Sequence, residues 1–265
     1  MTRTLAPLGT REAAVTDRAR YGAYAVIEAH DPHGPHPQPG QFYMLSTATR
    51  WGGGEDERPF LPRAFSVMRA TQAGGLQFLL EDVGPGTRRL AELVPGDRLR
   101  VLGPLGAGFR PPRGGRRALL VGGGVGIAPL AILQDELGAG VSALLGFRDA
   151  GRALASELLR DVRVATDDGS VGHRGLVTDL LREELGAAGR DGLEVYACGP
   201  PLMLDAIRAI CAEEGVPAQL ALESGMACGY GAGFGCVVPT RSGYVRLCVD
   251  GTVLDAADLE PVEAH

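Results

Sequence analysis

The segment 118–130, "ALLVGGGVGIAPL", sets the strongest constraint on the fold. A short apolar run meets Gly122, Gly123, Gly124 and Gly126, and Pro129 follows where a helix would begin. Proline suits a first helical turn, whose amides have no intrahelical acceptor, so the segment reads as buried strand, tight turn and helix start. The glycines let backbone amides approach a diphosphate at that helix N-terminus, and a plain strand-to-helix connection accounts for the same residues.

The pattern repeats downstream. Apolar runs "VSALLGF", "VRVAT" and "LEVYA" alternate with the helix-like "IAPLAILQDELG", "GLVTDLLREELG" and "PLMLDAIRAICAEEG". Such alternation requires a parallel α/β sheet, expected over 113–216. The last strand ends in "YACGPP". Ligands of an open parallel sheet lie beyond the carboxyl ends of its strands, which puts Cys198, Gly199 and Pro200 at the same crevice as the first glycine turn. Taken alone, Cys198 reads as a small buried hydrophobe.

Before the change of period, "AYAVIEA", "QFYMLST", "RAFSVMRA", "GLQFLLED" and "DRLRVLGP" are separated by turn-forming "PHGPHPQPG", "TQAGG" and "VPGD". Short strands with such turns predict an all-β antiparallel barrel over 10–112. The polar insert "ATRWGGGEDERPF" reads as a surface loop and "RPPRGGRR" as a linker. Residues 217–265 are too few for a core of their own and form a small cysteine-bearing C-terminal subdomain. With 265 residues, 45% of them hydrophobic, the chain has enough apolar surface for two domains and such a tail.

Composition excludes several roles. The net charge is −6 and every basic residue is an arginine, with no basic stripe to neutralise a nucleic-acid backbone. No apolar run reaches membrane-spanning length, and the amino terminus lacks the apolar core of an export signal, so the default expectation is a cytoplasmic protein. The five cysteines at 198, 211, 228, 236 and 248 are odd in number and confined to the last third, which fits ligand or redox roles better than a disulfide scaffold.

The barrel carries two further candidates. In "LPRAFSV" Arg63 can fork onto a phosphate and Ser66 can bond a polar ring edge, while an ordinary amphipathic strand explains the same pattern. In "GPGTRRL" Gly86 and Thr87 present amides and a hydroxyl at a helix start, equally the mark of a simple N-cap.

In this order the four segments resemble the ferredoxin-reductase superfamily. The tail, with "MACG" followed after Tyr230 by Gly-x-Gly-x-x-Cys, is similar to the electron-transfer subunits of two-subunit, NAD-linked dihydroorotate dehydrogenases, as are "ATDDGSVGHRG" and "YACGP". The resemblance implies a flavin-binding barrel, then a nicotinamide-nucleotide domain. It implies FAD contacts from Arg63, Ala64, Phe65 and Ser66, from the backbone of Leu79, Leu80 and Glu81, and phosphate contacts from Gly86 and Thr87. It places NAD on Gly122, Gly123, Gly124 and Gly126, with the nicotinamide near Cys198, Gly199 and Pro200. Ala64 stands where many relatives have proline. NADP stays open, because Arg148 can meet a ribose phosphate, and Asp167 and Asp168 read as turn residues near the dinucleotide.

The resemblance also implies an FMN-containing catalytic partner that oxidises dihydroorotate and passes electrons through an iron-sulfur centre and FAD to NAD⁺, in pyrimidine biosynthesis. Related flavin subunits serve NAD(P)H-ferredoxin oxidoreductases and sulfhydrogenases, and a cluster-less binding subunit is the third alternative. Plant-type [2Fe-2S] loops use C-x₄-C-x₂-C and a distant fourth cysteine. Here Cys228, Cys236 and Cys248 match, but Gly233 occupies the second position. Three outcomes compete: a cluster with a substitute fourth ligand, another metal such as zinc on three cysteines, or an empty loop. Cys211 is expected to pack within its helix.

Overall fold

A computed structural model describes residues 9–52, 59–187 and 192–260. Residues 1–8, at the segment read for export, and 53–58 of the polar insert lie outside the described residues.

Six strands close a barrel: β1 (Arg11–Tyr21), β2 (Tyr24–His30), β3 (Phe42–Thr47), β4 (Arg63–Ala70), β5 (Gly75–Glu81) and β6 (Arg98–Leu105). Their order around the barrel is β1-β2-β5-β4-β3-β6, with antiparallel pairing throughout. The last five occupy the segments expected from sequence. β1 was not among them, because "REAAVTDRARY" is strongly charged and buries only Ala13 and Val15 fully. The short helix α1 (Pro85–Ala91) bridges β5 and β6.

The second unit is a seven-stranded sheet in the order β10-β9-β8-β7-β11-β12-β15. Its strands are β7 (Arg117–Gly123), β8 (Ser142–Phe147), β9 (Val162–Thr166), β10 (His173–Arg174), β11 (Leu193–Cys198), β12 (Ala218–Ala221) and β15 (Val253–Asp255). All neighbours are parallel except β15, which comes from the tail and pairs antiparallel with β12. Helices α2 (Ala128–Leu137), α3 (Ala150–Ala153), α4 (Val177–Ala187) and α5 (Pro201–Glu214) connect the strands. The chain leaves β7 for β8 on one side and returns to β11 on the other, which makes the β7/β11 boundary the topological switch point.

The tail between β12 and β15 holds the cysteine loop, the hairpin β13 (Val237–Thr240) and β14 (Gly243–Arg246), and the single turn α6 (Leu247–Asp250). It borrows a core: Cys236, Leu247 and Cys248 pack with Phe42, Met44 and Leu105 of the barrel.

One buried cluster runs through both units, joining Tyr24, Met68 and Leu79 of the barrel to Ile127, Leu130 and Tyr196 of the sheet unit. The linker is fixed as well. The Arg113 amide donates to the buried Glu194 carboxylate at 2.8 Å, and the Arg110 carbonyl accepts from Tyr196 Oη at 3.0 Å and Gln219 Nε2 at 3.1 Å. Arg152 bridges to Glu81 of the barrel at 2.9 Å. Among the described residues no helix is long and apolar enough to cross a membrane.

Candidate functional site

Parallel pairing aligns Cys198 with Gly122, so the turns after β7 and β11 lie side by side. Their contact admits only glycine. A Cβ on Gly126 would stand 2.6 Å from the Gly199 nitrogen, and one on Gly123 would stand 2.6 Å from Met203 Sδ. α2 begins with no side-chain cap and with Pro129 in its first turn. A 3₁₀ turn, Gly124–Ile127, runs directly into it and the Ala128 amide donates to the Val125 carbonyl, so the helical start lies at the glycines, where no side chain caps it and an anion would suit.

At the barrel end, Arg63 of β4 reaches across to the start of α1. A Cβ on Gly86 would lie 2.8 Å from Arg63 Nε, so glycine lets the guanidinium rest against the helix N-terminus. Thr87 Oγ1 accepts from the amides of Val83 at 2.9 Å and Gly84 at 3.0 Å, fixing the preceding loop. Arg63 also donates to the Leu61 carbonyl at 2.6 Å. A guanidinium and the amides of one helix start thus converge, a combination that binds phosphate well.

A cleft has walls from three parts of the chain. Phe42, Ala64, Phe65, Ser66 and Leu79 come from the barrel, Val125 and Ala128 from the glycine turn, and Leu222, Glu223, Ser224, Met226 and Thr252 from the tail. The Leu80 side chain turns into the barrel interior by strand alternation, which leaves its backbone as the part available to a ligand, as the resemblance implies. Glu81 is held by Arg152.

Cys198 is buried, and burial followed by the neighbouring Glu223 carboxylate pushes its thiol well above the usual range. Glu223 opens onto the cleft, but crowding by protein raises its pKa by desolvation. Asp167 and Asp168 form the turn after β9, where Ser170 bonds hold the Asp168 carboxyl below its usual range. The Asp168 amide donates to the carbonyl of the exposed Arg148 at 3.3 Å.

Sequence reasoning missed Glu223 as a cleft residue, since a single acid after a strand carries no signal. It also missed Tyr24. This side chain is fully buried, its hydroxyl has no partner, and a Cβ on Gly124 would sit 3.7 Å from that oxygen. Burial, then Glu81, pushes the phenol up to about 12, so it stays a donor at neutral pH. An unpaired buried hydroxyl costs about 1–3 kcal/mol, which marks the spot as one a ligand would complete.

The cysteine loop divides into two halves. Cys236 Sγ and Cys248 Sγ are 3.3 Å apart and buried. Cys228 Sγ accepts from the Gly233 amide at 3.4 Å. Burial raises the Cys228 thiol, but bonds from the amides of Gly233, Tyr230, Gly231 and Ala232 outweigh it and bring the thiol down to about 7. Among the described residues no three His, Cys, Asp or Glu side chains converge on one metal position, which disfavours a single zinc ion on three cysteines. A two-iron cluster asks instead for pairs of thiolates: Cys236 and Cys248 form one such pair, and Cys228, with Gly233 beside it, is half of another. Cys211 packs in the buried cluster on α5, away from the loop.

A closed antiparallel barrel joined to a parallel α/β sheet, with a cleft lined by both, defines the fold of the ferredoxin-reductase-type flavoproteins. Solved structures agree. The chain matches a structure of an NADH-dependent reduced ferredoxin-NADP oxidoreductase, described for flavin-based electron bifurcation, with a TM-score of 0.79 and 26% identity over 96% of this chain and 92% of that one. It matches the fold of a ferredoxin NADP⁺ reductase from Neisseria gonorrhoeae with bound FAD and NADP at a TM-score of 0.63 and 18% identity, covering 78% and 92% of the two chains.

The particular family follows from sequence. The family model for the iron-sulfur cluster binding domain of dihydroorotate dehydrogenase B matches residues 223–260. Dihydroorotate dehydrogenase B (NAD(+)) electron transfer subunits from Clostridium acetobutylicum and Caldanaerobacter subterraneus subsp. tengcongensis are 33% and 38% identical. The alignments cover 84% and 85% of this chain, and 86% and 88% of those proteins. This chain belongs to the family of dihydroorotate dehydrogenase B electron transfer subunits.

Proposed function

We propose that the chain passes electrons from dihydroorotate, oxidised in an FMN-containing catalytic partner, to NAD⁺ in pyrimidine biosynthesis, as a cytoplasmic hetero-oligomer. One observation carries this reading. Phe42 and Met226 line the cleft and also pack in the cluster that holds Cys236 and Cys248, so the cysteine loop and the cleft share a wall.

The work divides among a flavin barrel at 10–112, a dinucleotide domain at 113–216 and a cysteine-bearing tail at 217–265. Arg63 and the amides of Gly86 and Thr87 bind the FAD diphosphate. The β4 segment from Ala64 to Ser66, with Leu79 and Glu81 of β5, orients the flavin ring. Gly122, Gly123, Gly124 and Gly126 take the NAD diphosphate, and the Tyr24 hydroxyl donates to it from the barrel side. Cys198, Gly199 and Pro200 shape the nicotinamide end, where the neutral Cys198 thiol offers a compact apolar wall. Glu223 lines the tail side of the cleft, where desolvation shifts its carboxyl toward the neutral form. Cys228, Cys236 and Cys248 hold a [2Fe-2S] cluster. Flavin, when bound, is the cofactor able to exchange hydride with nicotinamide and single electrons with an iron-sulfur centre.

The test is to purify the chain with FAD, mix it with the dihydroorotate-oxidising subunit, and follow NADH formation on adding dihydroorotate. Co-elution of the two chains with dihydroorotate-dependent NADH formation is expected. A chain that reduces dyes from NADH but neither co-elutes nor couples to dihydroorotate would overturn the assignment of partner. Reduced ferredoxin in place of dihydroorotate tests the second reading, favoured by the structural match over 96% of the chain.

A further inference from the structure

Gly233 is unlike its neighbours in the cysteine loop. Gly229 and Gly231 have φ of +76° and +91°, and a Cβ on either would come within 2.7 Å of Met44 or Val249. Those positions require glycine. Gly233 lies outside the left-handed region, is exposed, and a Cβ there meets no atom within 4 Å except Cys228 Sγ at 3.9 Å. A side chain at this position would therefore have room beside Cys228.

The surroundings say what would fit. Cys236 and Cys248, 3.3 Å apart, already form a pair suited to one iron. Among the described residues Cys228 has no second cysteine to pair with, because Cys198 and Cys211 are buried in the sheet and in α5. The open position faces solvent. Arg246 stands next to it, donating to the Gly231 carbonyl at 2.9 Å with its guanidinium 6.0 Å from the Phe234 ring. Its charge, shared with Asp250 at 4.0 Å, favours an anionic ligand of small size.

Resting on the iron-sulfur reading above, we propose that Gly233 leaves an exchangeable ligand position on the iron held by Cys228, a position that takes a small exogenous thiolate. On binding, the thiol gives its proton to solvent, its sulfur forms the iron-sulfur bond, and a solvent molecule leaves. No oxidation state changes. The device makes the two irons inequivalent and the potential of the centre dependent on the fourth ligand, since ligand type and cluster charge set that potential.

The experiment uses the full FAD-loaded chain, prepared without air, and its Gly233→Cys variant. Iron and acid-labile sulfide are assayed per flavin, and the EPR spectrum of dithionite-reduced protein is recorded during titration with 2-mercaptoethanol, with ethylene glycol as the control lacking sulfur. The expected result is similar iron and sulfide in both proteins, a wild-type signal that shifts with 2-mercaptoethanol toward that of Gly233→Cys, and a variant signal that does not move. A wild-type signal indifferent to thiol, or iron and sulfide found only in Gly233→Cys, would overturn the proposal while leaving the family's cluster site intact. No iron or sulfide in either protein would overturn the iron-sulfur reading itself. Should Gly233→Cys fail to fold, the wild-type titration against the glycol control decides alone.

Discussion

The chain has two glycine-rich loops that look alike on paper and differ in three dimensions. In the turn from Gly122 to Gly126, neighbours enforce the absence of side chains: Gly123 faces Met203 and Pro200, and Gly126 faces the backbone of Cys198 and Gly199. In the loop from Gly229 to Gly235, that constraint holds at Gly229 and Gly231 but not at Gly233 or Gly235, where a Cβ would find room. Glycine in the first loop is a packing requirement. At Gly233 no neighbour requires it.

The sharpest way to break this comparison is Gly126→Ala. Its methyl group would overlap the backbone after β11, an overpacking expected to cost about 3 kcal/mol, with a lower Tm and loss of NADH binding. An unchanged Tm would mean that the two turns are not locked together. Next is Arg63→Ala. Losing one charge-assisted contact to a diphosphate should cost about 2 kcal/mol, or roughly 30-fold in FAD affinity by flavin fluorescence titration. The dinucleotide turn has no arginine of this kind against it, so NADH affinity should change far less.

Tyr24→Phe tests the turn from the other side. Removing the unpaired hydroxyl should raise the Tm of the ligand-free chain by the equivalent of about 1 kcal/mol, yet weaken dinucleotide binding roughly 5-fold. Opposite signs in the two measurements separate a ligand donor from a structural phenol. Glu223→Gln addresses pH. The folded-state pKa is raised above 4.5, so the folded chain holds this proton more tightly than the unfolded one. Stability from this group is therefore complete below about 4.5 and is lost as pH rises through the folded value. Denaturant midpoints against pH should show that decline in the wild type and not in Glu223→Gln. Smallest of all is Gly233→Ala, expected within about 0.5 kcal/mol of wild type, because its methyl group enters open space.

Much of this was legible in the residues. The change from a two-residue to a helical period after the linker announced two units, since burial on one face of a strand or helix imposes those spacings. The Arg63 and Gly86 segments stood out because phosphate recognition needs a fork of donors and bare amides. β1 was hidden by its charges, and β15 by its distance from the sheet it joins, because an edge strand needs little apolar sequence of its own. The linker looked free, yet Glu194 and Gln219, ordinary polar residues in the sequence, bind it from within the sheet.

By itself, the sequence determined the order of the parts, the two glycine turns, the Arg63 segment and the positions of the three loop cysteines. These depend on local backbone needs and side-chain chemistry, which travel with neighbouring residues along the chain. Only the tertiary structure decided that Tyr24 and Glu223 belong to the cleft, that Phe42 and Met226 join it to the cysteine loop, and that Gly233 has room for a ligand. Each of those facts is a distance between segments far apart in the chain, set by how the barrel, the sheet and the tail pack together.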